Sequence, residues 1–189
     1  MDSRDIDAVP ASQTLVSRLF RHRQLTFSIL SITLRRIGDT NVLPHVNIIL
    51  AFLWCVANIE QGLKFLGKSV PWFQLAIFLT SIAKSVEMHS RIESPDFLKP
   101  EKGDRQPLPE DYMLRGQVWS TKYFPDNYWT AEAVPDEDER SISMEPASVG
   151  RMRAERVLWL GVRLASLHVE KMPVKLICHA SPLSMLTLI

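Results

Sequence analysis

"NVLPHVNIILAFLWCVA", residues 41–57, decides the fold class. Asn41 offers a helix cap, and Pro44 sits in a first turn, where a residue without an N–H is tolerated. Over a helix of about 42–58, Val46, Ile49, Leu50, Leu53 and Ala57 fall on one side and Ile48, Phe52 and Val56 on another. A helix that is apolar nearly all round must be covered from several directions.

Its neighbours read as helices too. From Ser12 to Ile37, Leu15, Leu19, Ile29, Ile32 and Ile37 form an apolar stripe, although Thr26, Ser28, Ser31 and Thr33 are weak helix formers. Gly38 reads as the stop. A break over Gly62–Ser69 leads to a helix from Pro71 to about His89, with Phe73, Ala76, Ile77, Thr80 and Lys84 at roughly helical spacing. Residues 90–109 hold four prolines and mixed charge, so they form a connector. Pro109, Glu110 and Asp111 then start a helix running to about Trp119, with the acids facing the positive end of the dipole. A second connector reaches Pro146. The helix SVGRMRAERVLWLGVRLAS, 148–166, lines one side with Val157, Leu160 and Leu164. The chain has only seven glycines and no clear run of alternating apolar and polar residues. The expected fold is all-α: antiparallel helical hairpins with two long irregular connectors. No fixed-period repeat is visible.

The 189 residues carry 22 basic and 21 acidic side chains, for a net charge of +1, which argues against coating nucleic acid by charge alone. Cys55 and Cys178 are too few for a disulfide framework or a four-ligand zinc site, so a reducing compartment is the easier reading. The opening MDSRDIDAVP is unlike a secretory signal; residues 8–38 lack acids, as transit peptides do, but Asp2, Asp5 and Asp7 precede them. The apolar runs at 48–57 and 70–79 are about half of a bilayer span, so they read as core helices and no membrane partner is expected.

Searching for chemistry returns little. The acidic run Pro135–Glu139 reads as a solvated loop, since metal sites need carboxylates converging from several directions. His22, His45, His89, His168 and His179 lack ligand spacing, and Cys178 beside His179 is adjacency alone. Phosphate-loop, GxSxG and HExxH motifs are absent, so neither an enzyme nor a cofactor is expected. Two basic constellations remain. In "LPEDYMLRGQVWSTKYFPDNYW", 108–129, Tyr112, Arg115 and Trp119 share a helix face, followed by Lys122 and Tyr123. These rings and cations either stack on a single strand or form a core edge under a cation–π lid, and packing is the favoured reading. The other constellation is Arg151, Arg153, Arg156 and Arg163 around Trp159, read as a solvated face with the nucleic-acid alternative kept.

IGDTNVLPHVNIILAFLW (37–54), VPWFQLAIFLTSIAKS (70–85), RIESPDFLKPEKGDRQPLPEDYMLRGQVWSTKYFP (91–125) and RMRAERVLWLG (151–161) together resemble fungal members of the EST/SMG family. That family comprises telomerase-associated "ever shorter telomeres" proteins and nonsense-mediated mRNA decay factors, and the resemblance is to their DNA/RNA-binding helical-hairpin domain. It covers roughly residues 25–166. Residues 1–24 then read as a basic helical extension and 167–189 as an unmatched tail. The resemblance implies a truncated, non-enzymatic adaptor of the nucleus or cytoplasm. Its expected partners are proteins of mRNA-decay or telomerase complexes, with weak binding of single-stranded RNA or DNA. The family's 14-3-3-like phosphopeptide-binding domain and PIN-type nuclease domain have no counterpart in these residues, and no catalytic residue carries over. The alternative is a structural fragment that needs a missing N-terminal domain; alone it would expose apolar faces at 42–58 and 70–89 and self-associate.

Overall fold

The computed structural model describes residues 11–86, 90–98, 107–126, 128, 129 and 147–171. Seven α-helices are found among them: α1 Ala11–Leu34, α2 Leu43–Ala57, α3 Gly62–Leu66, α4 Trp72–Ser85, α5 Ser90–Glu93, α6 Pro109–Leu114 and α7 Ala147–Lys171. Short 3₁₀ turns occupy Thr40–Val42, Gly67–Ser69 and Val118–Ser120. The fold is all-α, as the hydrophobic periodicity requires.

α2 is the axis. Val46, Leu50, Ala51, Leu53 and Ala57 are buried, and α1, α3, α6 and α7 all pack against it. Its principal mate is α7, where nearly every side chain from Met152 to Ala165 is buried. The two helices run in the same sense: Asn47 and Arg153 meet at Glu110, and further along both helices the Trp54 and Trp159 rings lie 6.2 Å apart. α7 also packs on α4, where an added Cβ at Gly161 would come 2.7 Å from Leu79 Cδ1. Glycine permits that approach.

The entry to α2 differs from expectation. Asp39, two residues before Asn41, does the capping: its carboxylate accepts the Asn41 N–H at 2.9 Å. α1 already ends at Leu34, short of the expected Ile37, and Gly38, at φ +82°, turns the chain beyond that end. The segment 62–69, read as a break, is instead the short helix α3 and a 3₁₀ turn. Gly62 there is hemmed in, because an added Cβ would lie 2.2 Å from the Val56 carbonyl oxygen. Backbone cannot swing aside as a side-chain tip can. Gly62→Ala is therefore expected to lower the free energy of unfolding by about 2 kcal/mol, measured by urea denaturation.

Length also needs correction. Counted with its 3₁₀ entry, Thr40–Ala57 is an 18-residue stretch long and apolar enough to cross a bilayer. The ten-residue run at 48–57 understates it. In this fold its side chains are packed by α1 and α7 rather than turned outward.

The inward face of α1 is not the stripe read from the sequence. Phe27, Leu30 and Leu34 are buried, whereas Leu19, Ile29, Ile32 and Ile37 are exposed; the Leu15 side chain lies outside the described ones. The hydroxyls of Thr26 and Thr33 do not break the helix, since each donates to the carbonyl four residues earlier, His22 and Ile29. On α4 the buried set is Leu75, Ala76, Phe78, Leu79 and Ile82, and Phe73 and Ile77 point outward. α1 runs unbroken across residue 24, and α7 continues to Lys171, so neither expected segment limit (24/25 or 166/167) coincides with a helix end.

Candidate functional site

The residues with the most chemistry converge beneath the connectors. Arg153, Arg156, Trp159 and Arg163 lie on one face of α7 by helical spacing, and each reaches a different point between the end of α5 and the start of α6. Arg153 grips Glu110 bidentately, Nε to Oε1 at 2.6 Å and Nη2 to Oε2 at 3.0 Å, while Asn47 Nδ2 donates to the same Oε1 at 3.0 Å. Arg156 Nη2 donates to the Leu98 carbonyl at 3.0 Å, and its guanidinium carbon lies 4.2 Å from the Phe97 ring centre. Arg156 Nη1 stands 3.8 Å from Asp111 Oδ1, an ion pair rather than a hydrogen bond. Trp159 Nε1 donates to the Ser94 carbonyl at 2.9 Å and Arg163 Nη2 to the Glu93 carbonyl at 2.7 Å. One helix thus pins the 93–98 and 108–111 segments.

The acids come from α6. Pro109 opens it, and Asp111 Oδ2 accepts the Leu108 N–H at 3.0 Å, which caps the first turn from inside. The same oxygen accepts the Tyr128 hydroxyl at 2.6 Å and ties in the next connector. Burial pushes the Asp111 carboxyl above the usual carboxylate range, with the Arg156 charge pulling the other way. Burial likewise raises the Tyr123 phenol to about 12 and the Tyr128 phenol further still. Asp111 Oδ1, Arg156 Nε and Nη1, Tyr123 Oη and Asn47 Oδ1 are buried without a hydrogen-bond partner. The Cys55 thiol, half-buried, is pushed up to about 11 by burial, which keeps it protonated and unreactive near neutral pH.

These placements correct the arginine reading. Arg153 is 4% exposed and Arg156 is 0% exposed, both committed to internal acceptors, so neither is presented to a phosphate backbone. Arg163 is half-buried and bonded to the connector, and Arg151 alone of the four is exposed. α7 has no solvated face between Met152 and Leu160, and Arg153 and Arg156 are internal struts.

The ring-rich stretch divides in two. α6 stops at Leu114, and Gly116 at φ +81° turns the chain, so Tyr112, Arg115 and Trp119 do not share one helix face. Trp119 packs edge-on against Phe52 of α2, 5.4 Å between ring centres. Tyr123 is buried beside Phe97, and Phe124 stacks on Tyr128 at 4.7 Å. Most of the stretch is a packed seam. At its edge Arg115 is exposed, with its guanidinium 4.8 Å from the centre of the half-buried Trp129 ring, and Tyr112 lies 5.6 Å from that ring. Lys122 is exposed nearby in sequence.

Glu110, Asp111, Asn47 and Tyr128 were not singled out from sequence as partners of these arginines. One signal was present. A helix with Val157, Leu158, Leu160, Val162 and Leu164 has little polar face left for arginine, which implies buried guanidinium and therefore buried acids elsewhere. Among the described residues no group of three or more His, Cys, Asp or Glu is placed to hold a metal ion. The acidic run 135–139 and the Cys178–His179 pair lie outside the described residues.

No protein-family model matches the chain. Neither a curated protein nor a solved structure matches it significantly.

Proposed function

We propose that the chain is a non-enzymatic helical adaptor of the EST/SMG kind, working with protein partners of mRNA-decay or telomerase complexes in the nucleus or cytoplasm. The observation that supports an adaptor is α1. It packs Phe27, Leu30 and Leu34 inward while leaving Leu25, Ile29 and Ile32 exposed, an uncovered apolar stripe on a scaffold stiffened by buried ion pairs. Affinity purification of the tagged endogenous protein tests the reading: decay factors or telomerase components are expected to come with it. Recovery of neither overturns the assignment.

One feature favours a second, weaker activity. Tyr112, Arg115 and Trp129 place a cation and two rings at the edge of the fold, with Lys122 exposed as well, a combination suited to stacking and neutralising a single strand. Anisotropy with labelled single-stranded RNA is expected to give salt-sensitive binding that weakens several-fold in Arg115→Ala/Lys122→Ala. An unchanged affinity in that variant removes the ring edge from consideration.

A further inference from the structure

α1 is a helix with two apolar faces. Phe27, Leu30 and Leu34 enter the core. Leu25, Ile29 and Ile32 are 61%, 44% and 64% exposed and lie on the opposite side of the helix. Their i, i+4, i+7 spacing makes a seam about 60° wide and about 10 Å long. Such a narrow row of protruding side chains matches the ridge that one helix sets into the groove of another. A helix lying in a bilayer surface uses a broader apolar face, and here the inner half of α1 is already spent on the core.

Charge narrows the occupant further. α1 contains no Asp or Glu. Exposed Arg18, Arg21 and His22 stand before the seam, and exposed Arg35 and Arg36 stand beyond it, the last paired with Asp39. Between the outermost arginines the helix and its exit run about 27 Å, the length of a partner helix of about five turns. A second copy of the chain fits poorly, since parallel or antiparallel pairing of two α1 helices brings cations onto cations. The last residues of the chain, 172–189, contain no acid and offer no complement either.

We propose that the outer face of α1 binds an amphipathic helix of a partner protein, with an apolar stripe at its middle and carboxylates at both ends. This rests on the adaptor reading and names the class of partner. Apolar side chains seat on Leu25, Ile29 and Ile32, and the terminal carboxylates meet the arginine groups, which fixes register and excludes basic helices.

The test uses the full chain and two labelled helical peptides with the same central leucines, one ended by glutamates and one by lysines. Anionic phosphatidylserine vesicles form a third arm. The glutamate-ended peptide is expected to bind, and Leu25→Ser/Ile29→Ser/Ile32→Ser to weaken it about tenfold or more. These side chains are exposed, so the variant is expected to keep the wild-type unfolding curve. Arg18→Glu/Arg21→Glu/Arg35→Glu is expected to reverse the preference toward the lysine-ended peptide. Equal binding of both peptides, binding to vesicles alone, or concentration-dependent dimerisation lost in the serine variant each overturns the proposal. If cellular partners co-purify undiminished with the serine variant, this inference fails while the adaptor reading stands. If the wild-type chain recovers none, the adaptor reading itself fails.

Discussion

Arg156→Ala is expected to remove about 3–5 kcal/mol of folding stability, the range for deleting one member of a buried ion pair. The loss has several sources. The Leu98 carbonyl loses its guanidinium donor and the Phe97 ring loses the cation on its face. Asp111 is left as a buried carboxylate without its counter-charge, held only by the Leu108 N–H and the Tyr128 hydroxyl. The effect carries a pH signature. Asp111 already sits above the usual carboxylate range through burial, and Arg156 opposes that shift. Without the arginine the folded-state pKa rises further above the unfolded value. Stability contributed by the protonated form is complete below the unfolded pKa and is lost as pH rises through the folded one. The gap between wild type and variant is therefore expected to widen from pH 5 to pH 8 in denaturant titrations. A gap that stays under about 1 kcal/mol at both values would show that the pair carries no such weight.

Glu110→Ala is expected to be comparably severe, at about 3–5 kcal/mol, because it strips Arg153 of its bidentate partner and Asn47 Nδ2 of its acceptor inside the core. The informative companion is the double variant Glu110→Leu/Arg153→Met. Removing both charges and refilling their volume with apolar groups is often neutral for buried pairs, so most of the lost stability is expected to return. The full cycle, with Arg153→Met alone, gives a coupling energy that isolates the pair. Additive singles would mean that the two side chains do not depend on each other. That outcome would contradict the geometry.

How far the sequence discloses this fold depends on what kind of side chain carries the information. α2 is legible because it is apolar on nearly every side, and α7 because Val157, Leu160 and Leu164 recur at helical spacing. α1 misleads for a physical reason. It has two apolar rows, and periodicity reports that rows exist without saying which one meets the core. Leu19, Ile29 and Ile32 are the longer-looking row, yet Phe27, Leu30 and Leu34 are inside. The helix after Pro109 is overextended because Gly116 lies inside an otherwise acceptable helical run, and its positive φ is a tertiary choice. The arginines of α7 are misread through the ordinary habit of charge to face water. Their partners, Glu110 and Asp111, lie more than forty residues away in sequence, so the crowding of apolar residues around the arginines hints at burial but nothing local names the pairing. Lys122 and Arg115, by contrast, are exposed because their neighbourhood ends in turns rather than packed helix.

The partnership of α2 with α7 has a consequence in time. α2 ends at Ala57 and its principal cover begins at Ala147. At ordinary rates of synthesis the intervening stretch takes on the order of ten seconds to translate. Throughout that interval the most apolar helix of the protein is outside the ribosome, or entering its exit, with only α1, α3 and, later, α6 and the Trp119 turn to shelter it. The last long helix closes the core, and a nascent chain stalled before Arg153 is a natural client for chaperones that grip bare apolar helices.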